Sequence, residues 1–457
     1  MLQKPLARTL FVGALLSSSF VYSGVASTDK SSAPHLSGQL KVSIENGTID
    51  ANISISNIPR SKDHSFQLNT GLNIKGITSE DGSVNFAYRR TSLEQFYESF
   101  AYTIPSDAPN ELYQPKALNF RYSGKYPVYG QAFKARSDWK GNIAFNGKSL
   151  RVDGMQTAIL PIYYDKLNDR LYKDVSYDIQ IDCVDCKSLF INGSTPVRAF
   201  AHRFVSEHPV EPMMFLGDFD FIELGGNRVL NPLVKKDHIE QGLSVVAQYK
   251  SLLSKWFDQP LTNGITFIQT TPVSEKNSWL WVSGSTIVSI SHDYYALDRL
   301  FSEEGDARFK AHDFIAHELA HVLFNSYPGL QGELSNIIEE GMAEYLSWSL
   351  VSEFNGKRAK QYLLDWRREK LEDKKLKPLI ELSLDDEFFQ SNSFRYNVLP
   401  LIIHSMETII GKEQVIQWMQ SLATREKSLN PESFLSSIES AINNPEQYEH
   451  LAQKVDW

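Results

Sequence analysis

The chain has 457 residues, of which 42% are hydrophobic and 22% charged, a globular composition that excludes disorder, collagen-like repeats and a disulfide-dense miniprotein. Acids outnumber bases by 55 to 46, so no basic surplus exists to neutralise phosphates, and nucleic acid is not an expected partner. The length is that of two or three domains.

Residues 1–26 read as a secretory signal peptide. Lys4 and Arg8 precede an apolar run at 10–16, and small residues follow up to Ala26, where cleavage is expected. Ser17, Ser18 and Ser19 interrupt the run well short of the roughly 20 apolar residues that span a bilayer, and no later stretch is long and apolar enough. The expected location is therefore periplasmic or secreted, with no membrane span. Cys183 and Cys186 are the only cysteines and close an alternating segment at 177–181. In an oxidising compartment this spacing predicts a small local disulfide that braces a turn.

From about 36 to 222, within a domain bounded at 27–222, the pattern has a period of two. Leu40, Val42 and Ile44 alternate with polar residues, Asn46-Gly47 reads as a tight turn, and Ile49, Ala51, Ile53 and Ile55 alternate on the return. Further strands are expected near 66–75, 117–122, 143–152, 157–163 and 175–182, which makes this half an antiparallel sheet or sandwich domain. A cluster of Pro and Gly between 205 and 233 suits a domain boundary. The second domain, 223–457, opens with a helix at about 235–256 and a strand pair at 263–270 and 279–291, and is almost wholly helical from 307. The basic stretch 357–377 reads as a solvated helix face. The fold class is α+β, two domains.

His317-Glu318-Leu319-Ala320-His321 is the first segment that carries chemistry. Histidines at i and i+4 lie one turn apart on the same helix face, so both can grip one metal ion. Glu318 is rotated about 100° from His317 and sits beside the metal, placed to take a proton from water. Glu340 follows, with eighteen residues separating it from His321. A carboxylate from a second helix completes a His, His, Glu zinc site with one position open, the catalytic arrangement. Glu339 is the rival ligand, although it points about 100° away. Glu344, on the face of Glu340, is placed to accept the second ring N–H of His317. One zinc ion per chain is the expected cofactor.

This arrangement, continued by Gly341-Met342-Ala343, resembles the zinc signature of the aminopeptidase N and leukotriene hydrolase family, the gluzincins. Asn392-Ser393-Phe394-Arg395-Tyr396, followed by an apolar helix ending at Gly411, resembles that family's tyrosine segment, and Tyr396 lies 56 residues after Glu340. The resemblance implies a thermolysin-like, mainly helical zinc-peptidase domain behind the β domain. It also implies a hydroxyl at Tyr396 that stabilises the oxyanion, and a peptide or protein substrate. The segment Phe215-Leu216-Gly217-Asp218-Phe219 resembles the family's domain junction.

Three departures stand against it. The family's aminopeptidases hold the substrate's free amino group with a glutamate in Gly-x-Met-Glu-Asn, whereas the matching strand here, 279–287, has no acid. Trp281 falls near the position of that glutamate, and Trp281 with Gly284 are the expected substrate contacts. Asn397 stands where a lysine usually follows the tyrosine, and Pro400 is expected to kink the helix. About 60 residues follow Tyr396, too few for the family's C-terminal helical domain. The expected activity is that of an exported zinc metallopeptidase. The rivals are a zinc aminopeptidase with another amino-terminus anchor, for which Glu275 and Asp293 are candidates, and a non-catalytic periplasmic binding or scaffold relative. Among the other histidines, His312 is expected to be a solvated residue of the helix's first turns and His404 to serve helix packing.

Overall fold

The computed structural model describes residues 33–91, 99–106, 111–129, 143–152, 154–168, 170–233, 235–270, 280–290, 295–327, 330, 334–425 and 428–454. The expected signal peptide, Trp279, Glu275 and Asp293 lie outside the described residues.

The alternating half of the chain forms three sheets. In the largest the strand order is Ala201–Val210, Val175–Cys183, His35–Ser43, Thr48–Ser56, Ala117–Lys125, Leu72–Ser79 and Gly82–Ser83. A second has the order Arg170–Tyr172, Ile162–Asp165, Asp63–Asn69, Ser99–Pro105 and Ala87–Arg90, and a third Ser188–Ile191, Met214–Gly217, Ser149–Val152 and Ala144–Phe145. Leu40, Ile53 and Phe120 of the largest sheet share one core with Phe66 and Leu68 of the second and Leu150 and Leu216 of the third. Thr48–Ser56 shows how the pattern produces this: Ile49, Ala51, Ile53 and Ile55 are buried and the residues between them are not.

Four expectations need correction here. His35–Ser43 pairs in parallel with Val175–Cys183, so the sheet is not wholly antiparallel. The segment 66–75 is two strands broken at 70–71, and 157–163 holds the end of a short helix, Gly154–Thr157, before Ile162–Asp165 begins. The hairpin turn at Asn46-Gly47 is present, but it spans residues 44–47 and so takes in Ile44, which the alternation placed in the strand. Its length is set from outside, because the Asp185 carboxylate accepts hydrogen bonds from the backbone N–H of Ile44 at 2.9 Å and of Glu45 at 2.8 Å. Asp185 itself sits in the loop closed by the Cys183–Cys186 disulfide.

Strand Met214–Gly217 is buried on both faces, and its second face meets another layer. Phe190, Met213, Phe215 and Phe219 pack there with Leu230, Ile268 and Val288. The last three belong to a mixed sheet of order Phe221–Leu224, Asn227–Leu230, Thr266–Gln269, Thr286–Ser289 and Leu280–Ser283. Asn192 fastens the layers with polar bonds: its Nδ2 donates to the Ser283 carbonyl at 2.9 Å, and its Oδ1 accepts from the Thr286 hydroxyl at 2.6 Å.

The helical half comprises α1 (Lys236–Trp256), α2 (Leu297–Ser302), α3 (Ala307–Phe324), α4 (Ser335–Glu369), α5 (Leu399–Ile410), α6 (Lys412–Ala423), α7 (Pro431–Ile442) and α8 (Pro445–Gln453). Helix α3 runs through the middle of this core, burying Phe309, Ile315, Ala316, Leu319, Ala320 and Leu323. Helix α4 is interrupted at Gly356, whose φ of 74° and ψ of −168° leave the helical region. Helical turns run without a break from 392 into α5, and the π-turn over Phe394–Val398 lies directly before Pro400. The discontinuity expected at Pro400 thus takes the form of a π-turn in a continuous helical run. No helix of the described residues is long and apolar enough to cross a membrane.

Candidate metal centre and its surroundings

Two helices bring the candidate ligands together. His317 and His321 project from one face of α3, and Glu339, Glu340 and Glu344 lie on α4, which packs along it. Gly341 makes the approach of the next helix possible: a Cβ there would lie 2.4 Å from Leu399 Cδ2 on α5. Nε2 of His317 lies 3.2 Å from Oε2 of Glu340, Nε2 of His321 lies 3.4 Å from the same oxygen, and the two Nε2 atoms are 3.1 Å apart.

The other ring nitrogens have carboxylates beside them. Nδ1 of His317 is 3.2 Å from Oε1 of Glu344, and Nδ1 of His321 is 2.9 Å from Oε1 of Glu339. Nδ1 of His321 donates to Glu339, and Nδ1 of His317 stands at ion-pair distance from Glu344. A carboxylate only accepts, so both favour a proton on Nδ1, and each Nε2 of a neutral ring then presents a lone pair. Three lone-pair atoms then face one another in a buried space, which is repulsive unless a cation sits among them. The electrostatics agree. Burial alone would depress both imidazoles, yet Glu340 and Glu339 raise His321 to about 10, and Glu340 with Glu344 raises His317 well above its usual value. The pocket demands positive charge where the three atoms converge. Two imidazoles and one carboxylate, with atoms all within 4.8 Å of one another, fit a zinc ion with a position left open.

Glu339 is therefore placed on the far nitrogen of His321, not among the converging atoms. Glu344 takes the place on His317 expected for it. Burial would raise the Glu344 carboxyl, but the Arg367 guanidinium beside it reverses this and holds it at about 2. Glu318 is 6% exposed, and burial pushes its carboxyl up against the opposing pull of His317 and His321. Tyr396, in the π-turn, sets its ring 6.2 Å from that of His317. Burial, and then the charge of Glu340, keeps its hydroxyl protonated far above neutral pH.

The remaining expectations divide. Gly284 occupies the turn between Leu280–Ser283 and Thr286–Ser289 with φ of 60°, and its carbonyl lies 3.4 Å from Nδ2 of Asn325 at the end of α3. Trp281 packs against the layer formed by Phe190, Phe215 and Val288, with the Arg151 guanidinium 5.1 Å from its ring centre, so packing takes a share of the surface expected for substrate. His312 is not solvated: it is half-buried, with Nδ1 3.4 Å from the Tyr249 hydroxyl. His404 bonds Glu407 at 2.9 Å and packs edge-on to Trp348, a helix-packing role. The reading of 357–377 as a solvated face fails at Arg367, which is fully buried because Asp313 and Glu344 compensate its charge.

No family model and no curated protein matches the sequence. Solved structures do. A mutant of the M1 zinc metallopeptidase of Deinococcus radiodurans, bound to a Tyr-Ser-Ala substrate, superposes with a TM-score of 0.59 at 15% identity, covering 93% of this chain and 95% of that one. A two-domain M1 zinc metallopeptidase mutant bound to L-arginine gives 0.61 at 14% identity, with 93% and 95% covered. Native LTA4 hydrolase from yeast gives 0.60 at 14% identity over 92% of this chain and 66% of that one. At these identities the likeness is one of fold, and over nine-tenths of its length this chain has the fold of the M1 zinc metallopeptidases.

Proposed function

We propose that the chain is an exported zinc metallopeptidase, with residues 1–26 removed, a β domain at 27–222 and a catalytic domain at 223–457. The observation that carries this reading is the convergence of His317 Nε2, His321 Nε2 and Glu340 Oε2 beside a buried Glu318. A zinc ion held there supplies Lewis acidity, which acidifies water and polarises a carbonyl.

The chain's own residues do the rest. Glu318, its carboxyl pushed up by burial, takes a proton from the attacking water. It then passes that proton to the leaving amine, which could not depart as an anion. Tyr396, protonated throughout, donates a hydrogen bond to the carbonyl oxygen as that oxygen gains charge. Glu344 and Glu339 hold the Nδ1 protons of His317 and His321 and so keep both Nε2 lone pairs aimed inward. The substrate is a peptide or protein.

The test is zinc content of the purified protein together with turnover of a quenched peptide mixture. One zinc per chain, lost in His321→Ala, is expected, as is a Glu318→Gln variant that keeps zinc without turnover. Tyr396→Phe should lower kcat about 10²–10³-fold with little change in KM. A wild-type protein that binds zinc and cuts no peptide would leave the non-catalytic relative as the better reading.

A further inference from the structure

The polar seam between α3 and α4 continues past Glu344. Asp313 lies four residues before His317 on α3 and Ser347 three after Glu344 on α4, and both are buried. The Ser347 hydroxyl donates to Asp313 Oδ1 at 2.6 Å. Between the two carboxylates stands Arg367, whose Nη2 donates to Asp313 Oδ2 at 2.9 Å and also to Glu344 Oε2. Its guanidinium faces Trp348 and Trp366, with 4.7 and 5.3 Å to the ring centres. In a continuous helix, residues 344 and 367 would be about 35 Å apart at 1.5 Å per residue. The break at Gly356 allows the second half of α4 to return Arg367 to the seam.

We propose that Arg367 is a positioning residue for the metal ligand His317, acting through Glu344. The inference rests on the reading of His317, His321 and Glu340 as zinc ligands. Glu344 has two oxygens, and Arg367 engages Oε2, which leaves Oε1 for Nδ1 of His317 at 3.2 Å. A carboxylate held by only one partner turns about its last bond. Held at both oxygens, it fixes the tautomer and the plane of the imidazole. Arg367 is in ion-pair contact with Asp313 and Glu344, whereas Glu340 meets the imidazoles of His317 and His321. A buried ion pair is seldom retained for stability alone, because well-packed apolar side chains do as well. What apolar side chains cannot supply is a donor that orients a carboxylate, here Nη2, which serves Asp313 and Glu344 together.

The test measures zinc affinity by competition with a chromophoric chelator, on chelator-stripped protein whose folded state is checked by circular dichroism and thermal melting. Arg367→Gln and Glu344→Gln should each weaken zinc binding about 10–100-fold, as expected when the outer partner of a ligand is lost. The double variant should be little weaker than either single one, because both act on one link. Arg367→Lys, which keeps the charge but not the planar guanidinium that stands between the two carboxylates, should fall between wild type and Arg367→Gln. Arg367 variants that melt earlier yet bind zinc as tightly as wild type would overturn the proposal and leave Arg367 a stability element. If Arg367→Gln does not fold, Arg367→Lys decides on the same criterion. A wild-type protein that binds no zinc, or a His321→Ala variant that binds it as tightly, would instead refute the ligand reading itself.

Discussion

Glu339 and Glu340 are neighbours in sequence and lie at opposite nitrogens of one histidine. Glu340 Oε2 lies on the converging side and Glu339 Oε1 on the Nδ1 side of His321. Glu340→Ala should therefore release zinc during dialysis against a weak chelator. Glu339→Gln should retain it with about 10–100-fold lower affinity, since the amide still accepts the Nδ1 proton but without charge. Metal analysis of the two dialysed proteins checks this, and an inverted result would make Glu339 the ligand. His312 supplies a pH-dependent term. Burial, and then the charge of Arg308, presses its imidazole down to about 4, against about 6.5 in an unfolded chain. The unfolded state thus takes up a proton that the folded state refuses, so stability is full above pH 6.5 and is lost as pH falls toward 4. His312→Phe should narrow the difference in melting temperature between pH 7 and pH 5, and an unchanged difference would assign the acid loss to other groups. The pair His317 and His321 was legible because helix geometry fixes which residues share a face. The environment of Arg367 was not: in sequence it is one base within a basic stretch, and its partners Asp313 and Glu344 lie 54 and 23 residues away.

At the level of elements, the contact of α4 with α5 is set by the absence of a side chain. Gly341 follows Glu340, and a Cβ there would meet the fully buried Leu399 side chain at 2.4 Å, with no room to yield. Gly341→Ala gains about 1 kcal/mol of helix propensity. Against this it incurs an overpacking cost of about 1–3 kcal/mol. A lower melting temperature is expected, with weaker zinc retention because Glu340 moves with its helix. A variant as stable as wild type would mean that Leu399 repacks. Helices α1 and α3 follow from apolar residues at helical spacing, and the strands before 222 from alternation. Less legible were features fixed by distant partners: the four-residue turn held by Asp185, and the parallel pairing of His35–Ser43 with Val175–Cys183. Local pattern gives a strand its faces but not its neighbour. The π-turn before α5 escaped for a related reason, because Pro400 announces a discontinuity without saying which turn precedes it.

Over the whole molecule, two large cores are joined by the thin apolar layer around Phe190, Phe215 and Val288. The edge strand Leu280–Ser283 borders this layer, and residues 280–290 contain no acid. Nothing in 280–290 would pair a substrate's ammonium group brought there, and an unpaired buried charge costs several kcal/mol. Matched peptides with free and acetylated N-termini should therefore be cut at similar rates. Sequential release of residues from free N-termini alone would require an acid from another segment. The bonds of Asn192 carry a further consequence. Its backbone carbonyl accepts from the Tyr177 hydroxyl, its N–H donates to the Met213 carbonyl, and its side chain holds Ser283 and Thr286. One residue thus ties the largest sheet, the middle layer and the strand pair beside the metal centre. Strand pair 280–289 cannot swing open unless these bonds part together, so its amide hydrogens should exchange with solvent in step with those of 188–191, as one cooperative unit. Asn192→Ala should speed exchange in both segments and leave α1 unchanged, a difference that peptide-resolved mass measurement after deuteration would register.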